Sequence, residues 1–278
     1  MKNWNYFTVN EIRPSGWLKR QLEIQAEGLA GNLDKVWRDV RDSYWIGGEG
    51  ENKEKVICWW ERVPYWLDGF IPLAYLLENE DMIARGKKYI DAIISTQRED
   101  GWLCPCTEEE IPTFEIWCVH LISKVLTVYY ECSKDERIPS VIYKMLKNYY
   151  DFLTSGKITL KGTWGGIRWS ECLIAVNFMW KRTGEEWLKD LAKILKAQGA
   201  TPEQMVACWK IPLSEERLEA HIVNIVMYLK SEAVSYEILG EEYKEIECLN
   251  CKASLQGNRV TIESPFHGFT FAAFKVKK

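Results

Sequence analysis

Along most of this chain apolar residues recur at three- and four-residue spacing, which predicts helices rather than strands. The pattern marks helices over residues 15–29, 64–78, 82–97, 114–131, 137–153, 169–181, 186–198, 221–230 and 231–239. Pro64 suits the first turn of its helix, where a missing N–H costs nothing. Glu61 then falls in the loop entering that helix, while Gly69 and Pro72 predict a kink within it. From Glu247 onward the pattern alternates instead. Val260, Ile262, Phe269, Phe271, Phe274 and Val276 read as strand positions, and Gln256-Gly257-Asn258-Arg259 as a turn between two runs.

The helices repeat in pairs. Four acidic turns follow an aromatic-bearing helix, and aligning them on Glu80, Asp135, Glu185 and Glu241 gives intervals of 55, 50 and 56 residues. Five residues before each acid stands Tyr75, Tyr130, Trp180 or Tyr236. Gly or Asn ahead of the acid suits a helix end, and the acid suits the next helix start. A period near 50 residues with two helices per unit predicts an all-α array of helical hairpins, an open solenoid or a closed toroid. Six hairpins at this period need roughly 300 residues. With four visible, the expectation is an incomplete (α/α)6-toroid-like domain over 1–245 and a short β-rich tail over 246–278.

Composition narrows the function classes. Of 278 residues, 47% are hydrophobic, enough for a sizeable core. A net charge of −4 without a basic stripe argues against nucleic acid. No apolar run of about 18 residues predicts a membrane span, and the N-terminal residues lack an apolar signal core, so a cytoplasmic protein is expected. Fourteen Trp and thirteen Tyr can fill a core or line a carbohydrate cleft. Nine Cys without a secretion signal read as mostly buried, reduced thiols. The pairs Cys104-Pro105-Cys106 and Cys248-Leu249-Asn250-Cys251 could make a four-thiolate zinc site only if the fold joined them.

Candidate chemistry concentrates in Trp59-Trp60-Glu61-Arg62-Val63-Pro64-Tyr65-Trp66-Leu67-Asp68-Gly69. Carboxylates take sugar hydroxyls while aromatic faces cover apolar C–H faces, so Trp60, Tyr65, Trp66 and Asp68 are candidate sugar contacts. Glu61 is the candidate catalytic acid/base, or else a partner of Arg62 or a cap. Arg168, in the Gly-hinged loop Trp164-Gly165-Gly166-Ile167-Arg168-Trp169, could hold a hydroxyl or a carboxylate. It could equally stack on Trp169 or pair with Glu171. P-loop, GxGxxG, GxSxG and HExxH motifs are missing.

The segment Trp60 to Gly69 resembles the WERGPYWLDG stretch of β-L-arabinofuranosidase-like proteins, glycoside hydrolase family 127 and relatives. Gly16-Trp17-Leu18-Lys19-Arg20-Gln21-Leu22, Trp45-Ile46-Gly47-Gly48-Glu49-Gly50, Tyr129-Tyr130-Glu131, Lys181-Arg182-Thr183-Gly184-Glu185-Glu186-Trp187 and His221-Ile222-Val223-Asn224 resemble the family in the same order, over residues 12–242. The resemblance implies an (α/α)6 barrel, glycoside hydrolysis on arabinofuranosyl-type or related glycans, and a carbohydrate partner. It adds His221 and Asn224 as sugar contacts, His120 near a ring-bearing family position, and Trp102 in Gln97-Arg98-Glu99-Asp100-Gly101-Trp102, similar to the family's Q-x-x-D-G-W turn.

One family feature is not carried over. Members use a cysteine nucleophile at a zinc site, with an E-x-C motif and adjacent cysteines. This sequence has no adjacent Cys pair, and Glu171-Cys172 lacks the intervening residue. No catalytic cysteine, metal or other cofactor is therefore expected. Hydrolysis by carboxylates, a truncated non-catalytic carbohydrate-binding remnant, a helical-repeat scaffold, and a homodimer or partner chain completing the toroid all remain open.

Overall fold

The computed structural model describes residues 7–48, 59–209 and 221–240, together with four strands. Its helices are α1 (Gly16–Glu27), α2 (Leu29–Val36), α3 (Arg38–Arg41), α4 (Trp59–Leu76), α5 (Glu80–Ser95), α6 (Trp117–Ser133) and α7 (Ile138–Thr154). After these come α8 (Trp164–Ile167), α9 (Cys172–Thr183), α10 (Glu186–Gln198), α11 (Pro202–Trp209), α12 (Ile222–Tyr228) and α13 (Ser231–Leu239).

The division between inner and outer helices follows from which faces are apolar. α6 is buried nearly all round, from Trp117 through Cys132, so it must be surrounded by other elements. α5 buries only Met82, Gly86, Tyr89, Ile90 and Ile93, one face of a helix. α7 and α10 are amphipathic in the same way. α4, α6, α9 and α13 accordingly pack side by side as an inner row, and α5, α7 and α10 pack against them from outside. This is an all-α, toroid-like array of hairpins.

The repeat seen in the sequence is a repeat of turn geometry. Glu78, Lys134, Gly184 and Gly240 each adopt the left-handed conformation, at intervals of 56, 50 and 56 residues. The N–H of each donates to the carbonyl of the preceding aromatic, Tyr75, Tyr130, Trp180 or Tyr236, at 2.8–3.1 Å. The aromatic thus supplies a carbonyl to the helix end and a ring to the packing.

α4 departs from expectation. It starts at Trp59, so Pro64 lies inside the helix and Glu61 in its first turn rather than in a loop. An interior proline strips the carbonyl four residues earlier of its donor. Here that carbonyl belongs to Trp60, and the indole N–H of buried Trp45 donates to it at 2.6 Å. The helix continues through Gly69 and Pro72 to Leu76. The Gly-hinged loop is likewise a short helix, α8, capped by the Thr163 hydroxyl, which accepts from Gly166 N–H. A Cβ on Gly165 would stand 3.0 Å from the Trp117 nitrogen, so the glycine serves close packing against the start of α6.

In the tail, β1 (Glu245–Leu249) pairs antiparallel with β4 (Phe271–Lys275), and β2 (Lys252–Gln256) with β3 (Arg259–Glu263). Gln256 faces Arg259, as the turn signal between them predicts. Phe269, Val276, Cys251 and the end of the Trp45–Gly50 string lie outside the described residues.

Candidate active site

The helix starts converge. Tyr65 sits in the second turn of α4, Trp117 opens α6, Arg168 and Glu171 immediately precede α9, and Asn224 lies in the first turn of α12. The Tyr65 hydroxyl accepts from the Trp117 indole N–H at 3.1 Å and from Arg168 Nη1 at 3.0 Å. Arg168 Nε donates to Asn224 Oδ1 at 2.8 Å. The guanidinium lies between two indoles, 4.9 Å from the Trp117 ring centre and 5.0 Å from that of Trp164. Two tryptophans and two side-chain oxygens thus fix the position of one arginine.

With two donors aimed at it, the Tyr65 oxygen has both lone pairs engaged, and its own hydrogen is the part left to give. Burial pushes its pKa up; Arg168 pulls it down, and the charges of Glu61 and Glu171 push it up again. The phenol therefore stays neutral and acts as a donor. Tyr65 is 36% exposed, enough to meet a ligand. Glu61, one helical turn earlier, and Asp68, three residues later, share its face of α4.

Behind this network runs a chain of charges. Lys124 Nζ donates to Asp68 Oδ2 at 2.8 Å and lies 3.8 Å from Glu171 Oε2. Lys230 Nζ stands 2.5 Å from the other Glu171 oxygen. Glu171 is almost fully buried, so two ammonium groups offset its desolvation. Glu115 acts as a staple, its carboxylate accepting from the backbone N–H groups of Trp117, Trp164 and Gly165 at 3.1–3.3 Å.

Several expected contacts lie elsewhere. Trp60 is buried, its carbonyl taken by Trp45. Trp66 donates to the Ala30 carbonyl and packs on Phe70 and Tyr89. Trp102 is 2% exposed, donates to the Cys104 carbonyl and packs on Phe114 and Phe152. All three rings are too enclosed to cover a sugar. His120 is fully buried behind Trp117 and shares a 2.8 Å hydrogen bond with the Tyr149 hydroxyl. Exposed His221 caps α12, its Nδ1 accepting from Val223 N–H. Asp68 is held by Lys124 rather than open to solvent. Arg168 stacks on Trp117 and Trp164 rather than Trp169. Arg62 lies over Trp37 and pairs with Asp39.

Tyr65, Arg168 and Asn224 are the predicted residues that the fold joins, with Glu61 beside them. Trp117, Trp164, Lys124, Glu171 and Lys230 complete the cluster without having been singled out as sugar contacts. A usable signal existed for four of them: Trp117, Trp164, Glu171 and Lys230 stand at or next to the start of a helix, whereas Lys124 lies two turns inside α6.

A family model described as β-L-arabinofuranosidase, GH127 catalytic domain, matches residues 61–242. The chain belongs to this family. The matched span starts at Glu61 on α4 and extends past the end of α13, and so contains the whole cluster. No curated protein matches the chain. Family membership makes this a glycoside hydrolase domain. Among the described residues no three His, Cys, Asp or Glu side chains are grouped to hold a metal ion. Burial raises the pKa of Cys118 and Cys172, which favours thiol over the thiolate a metal needs. The described residues do not fit the family's thiolate–zinc centre.

No described helix is long and apolar enough to cross a membrane.

Proposed function

We propose that this glycoside hydrolase domain binds arabinofuranosyl-type glycans at the helix starts of α4, α6, α9 and α12, and that Glu61 is its acid/base. The observation that carries the reading is the Tyr65 hydroxyl. It is saturated as an acceptor by Trp117 and Arg168, is part-exposed, and shares a helix face with Glu61. Such a phenol donates to a sugar oxygen, and a carboxyl group one turn away can exchange a proton with the glycosidic oxygen or with water. The half-buried Trp164 ring, packed on Arg168, takes the platform role first expected of Trp60, Trp66 and Trp102. A carbohydrate is the partner this arrangement suits.

The test is hydrolysis of an aryl arabinofuranoside alongside calorimetric binding of arabinose-containing oligosaccharides. Glu61→Gln is expected to lower kcat by about a hundredfold or more with binding kept within about tenfold. Tyr65→Phe is expected to weaken binding by about tenfold. Unchanged hydrolysis and binding in Glu61→Gln would remove Glu61 from the site.

A second reading, sugar binding without turnover, is favoured by one observation: Glu171, the buried carboxylate of the cluster, is sealed by Lys124 and Lys230. Wild-type binding without hydrolysis selects that reading, and no binding of any arabinofuranosyl ligand overturns both.

A further inference from the structure

The Cys104-Pro105-Cys106 motif takes no part in the cluster above, yet the fold brings it a third thiol. Cys118, the second residue of α6, points its sulfur at Cys104, with Sγ atoms 3.2 Å apart. Both are free and buried. Cys106 is also a free thiol and is only partly buried, two residues from Cys104 and within electrostatic reach of both sulfurs. The Cys106 N–H donates to the Cys104 carbonyl at 2.9 Å, which folds the motif into a tight turn. Two thiols in contact need a closure of only about 1.2 Å to reach a disulfide S–S bond length of about 2.0 Å. Cys132 and Cys172 are free and buried, with no comparable thiol contact described.

We propose that Cys104 and Cys118 are a redox-active pair that closes to a disulfide, with Cys106 as the entry thiol. The oxidant is a low-molecular-weight disulfide, RSSR. Cys106 loses its proton and attacks one sulfur of RSSR. That S–S bond breaks, a Cys106–SR bond forms, and the departing RS⁻ takes up a proton as RSH. Cys104 then attacks the Cys106 sulfur and expels the second RS⁻, giving a transient Cys104–Cys106 bond. Cys118 attacks the Cys104 sulfur and returns Cys106 as a thiol. In total two protein thiols are oxidised, one RSSR is reduced to two RSH, and the protons balance. High thiol pKa values from burial make the steps slow rather than forbidden, since the thiolate is the attacking form.

The full chain, reduced and then incubated natively with oxidised glutathione, tests this. After blocking of free thiols, peptide mapping is expected to find the Cys104 and Cys118 peptides linked and Cys106 blocked. Cys106→Ser is expected to slow the linkage about tenfold or more. Cys118→Ser is expected to retain glutathione on Cys106 or a Cys104–Cys106 bond. Finding both Cys104 and Cys118 carrying the blocking reagent after oxidation overturns the pair. Linkage at an unchanged rate in Cys106→Ser overturns the entry role. Circular dichroism of each variant, matched to wild type, separates a lost thiol from a lost fold.

Discussion

His120 shows what burial does to one titratable side chain. With no exposed surface, it has its pKa lowered to about 3 by desolvation, partly opposed by the nearby backbone of Arg168. The folded pKa lies below the unfolded value of about 6.5, so the unfolded chain binds the extra proton. Its contribution is complete above about pH 6.5 and is lost as pH falls from there toward about 3. The loss amounts to about 4–5 kcal/mol across the window. His120→Gln removes the titration while keeping a partner for Tyr149. Urea unfolding between pH 4 and 7 should therefore show a shallower pH dependence in the variant; parallel curves would mean that His120 is not buried neutral. Tyr65 shows the opposite case: its environment adjusts a group to donate, a role no local pattern reveals because its two donors lie 52 and 103 residues away.

At the scale of elements, α4 and the turns carry the sharper expectations. The Trp45 indole replaces the donor that Pro64 removes, so Trp45→Phe should cost about 2 kcal/mol through an orphaned buried carbonyl and lost packing. In a Pro64→Ala background residue 64 can donate to Trp60 itself, and the cost should fall by about 1 kcal/mol. Equal costs in both backgrounds would show that the carbonyl does not depend on the indole. The left-handed turn residues differ among repeats: Gly184 and Gly240 suit the conformation, whereas Lys134 is strained in it. Lys134→Gly is expected to stabilise, and Gly184→Ala to destabilise, each by about 1 kcal/mol, read from denaturant midpoints. Nothing lies within 4 Å of a Cβ at Gly184, which leaves conformation as the cause. These turns were legible in the sequence because left-handed ends and acidic starts are local signals. The start of α4 was not, since the indole that makes an interior proline tolerable is a tertiary partner. α8 was hidden because two glycines read as a hinge, while Gly165 is there for close packing.

Across the whole molecule, one chain of charges ties α4, α6, the entry to α9 and the start of α13 through Asp68, Lys124, Glu171 and Lys230. Lys124→Met leaves buried Glu171 with one ammonium partner and frees Asp68. The expected loss is about 2 kcal/mol, below the full cost of breaking a buried pair because Lys124 is partly exposed. Adding Asp68→Asn should not deepen that loss, and a further drop of similar size would mean that the two carboxylates act independently. The hairpin architecture was readable at this scale because a repeat of about 50 residues needs no knowledge of contacts. The roles of the tryptophans were not. Trp66 and Trp102 carry the same aromatic signal as Trp164, and only tertiary packing decides that Trp164 alone of the three stays partly exposed.

The cluster also has a place in time. Its bonds join residues 52, 56 and 103 positions apart, so none can form within a single hairpin. Long loops must close before such contacts repay their entropy. Helices and turns can therefore be native while Tyr65 and Arg168 are still unjoined. Ligand capture during refolding should recover later than helical signal, which makes the proposed site a late marker of completed assembly.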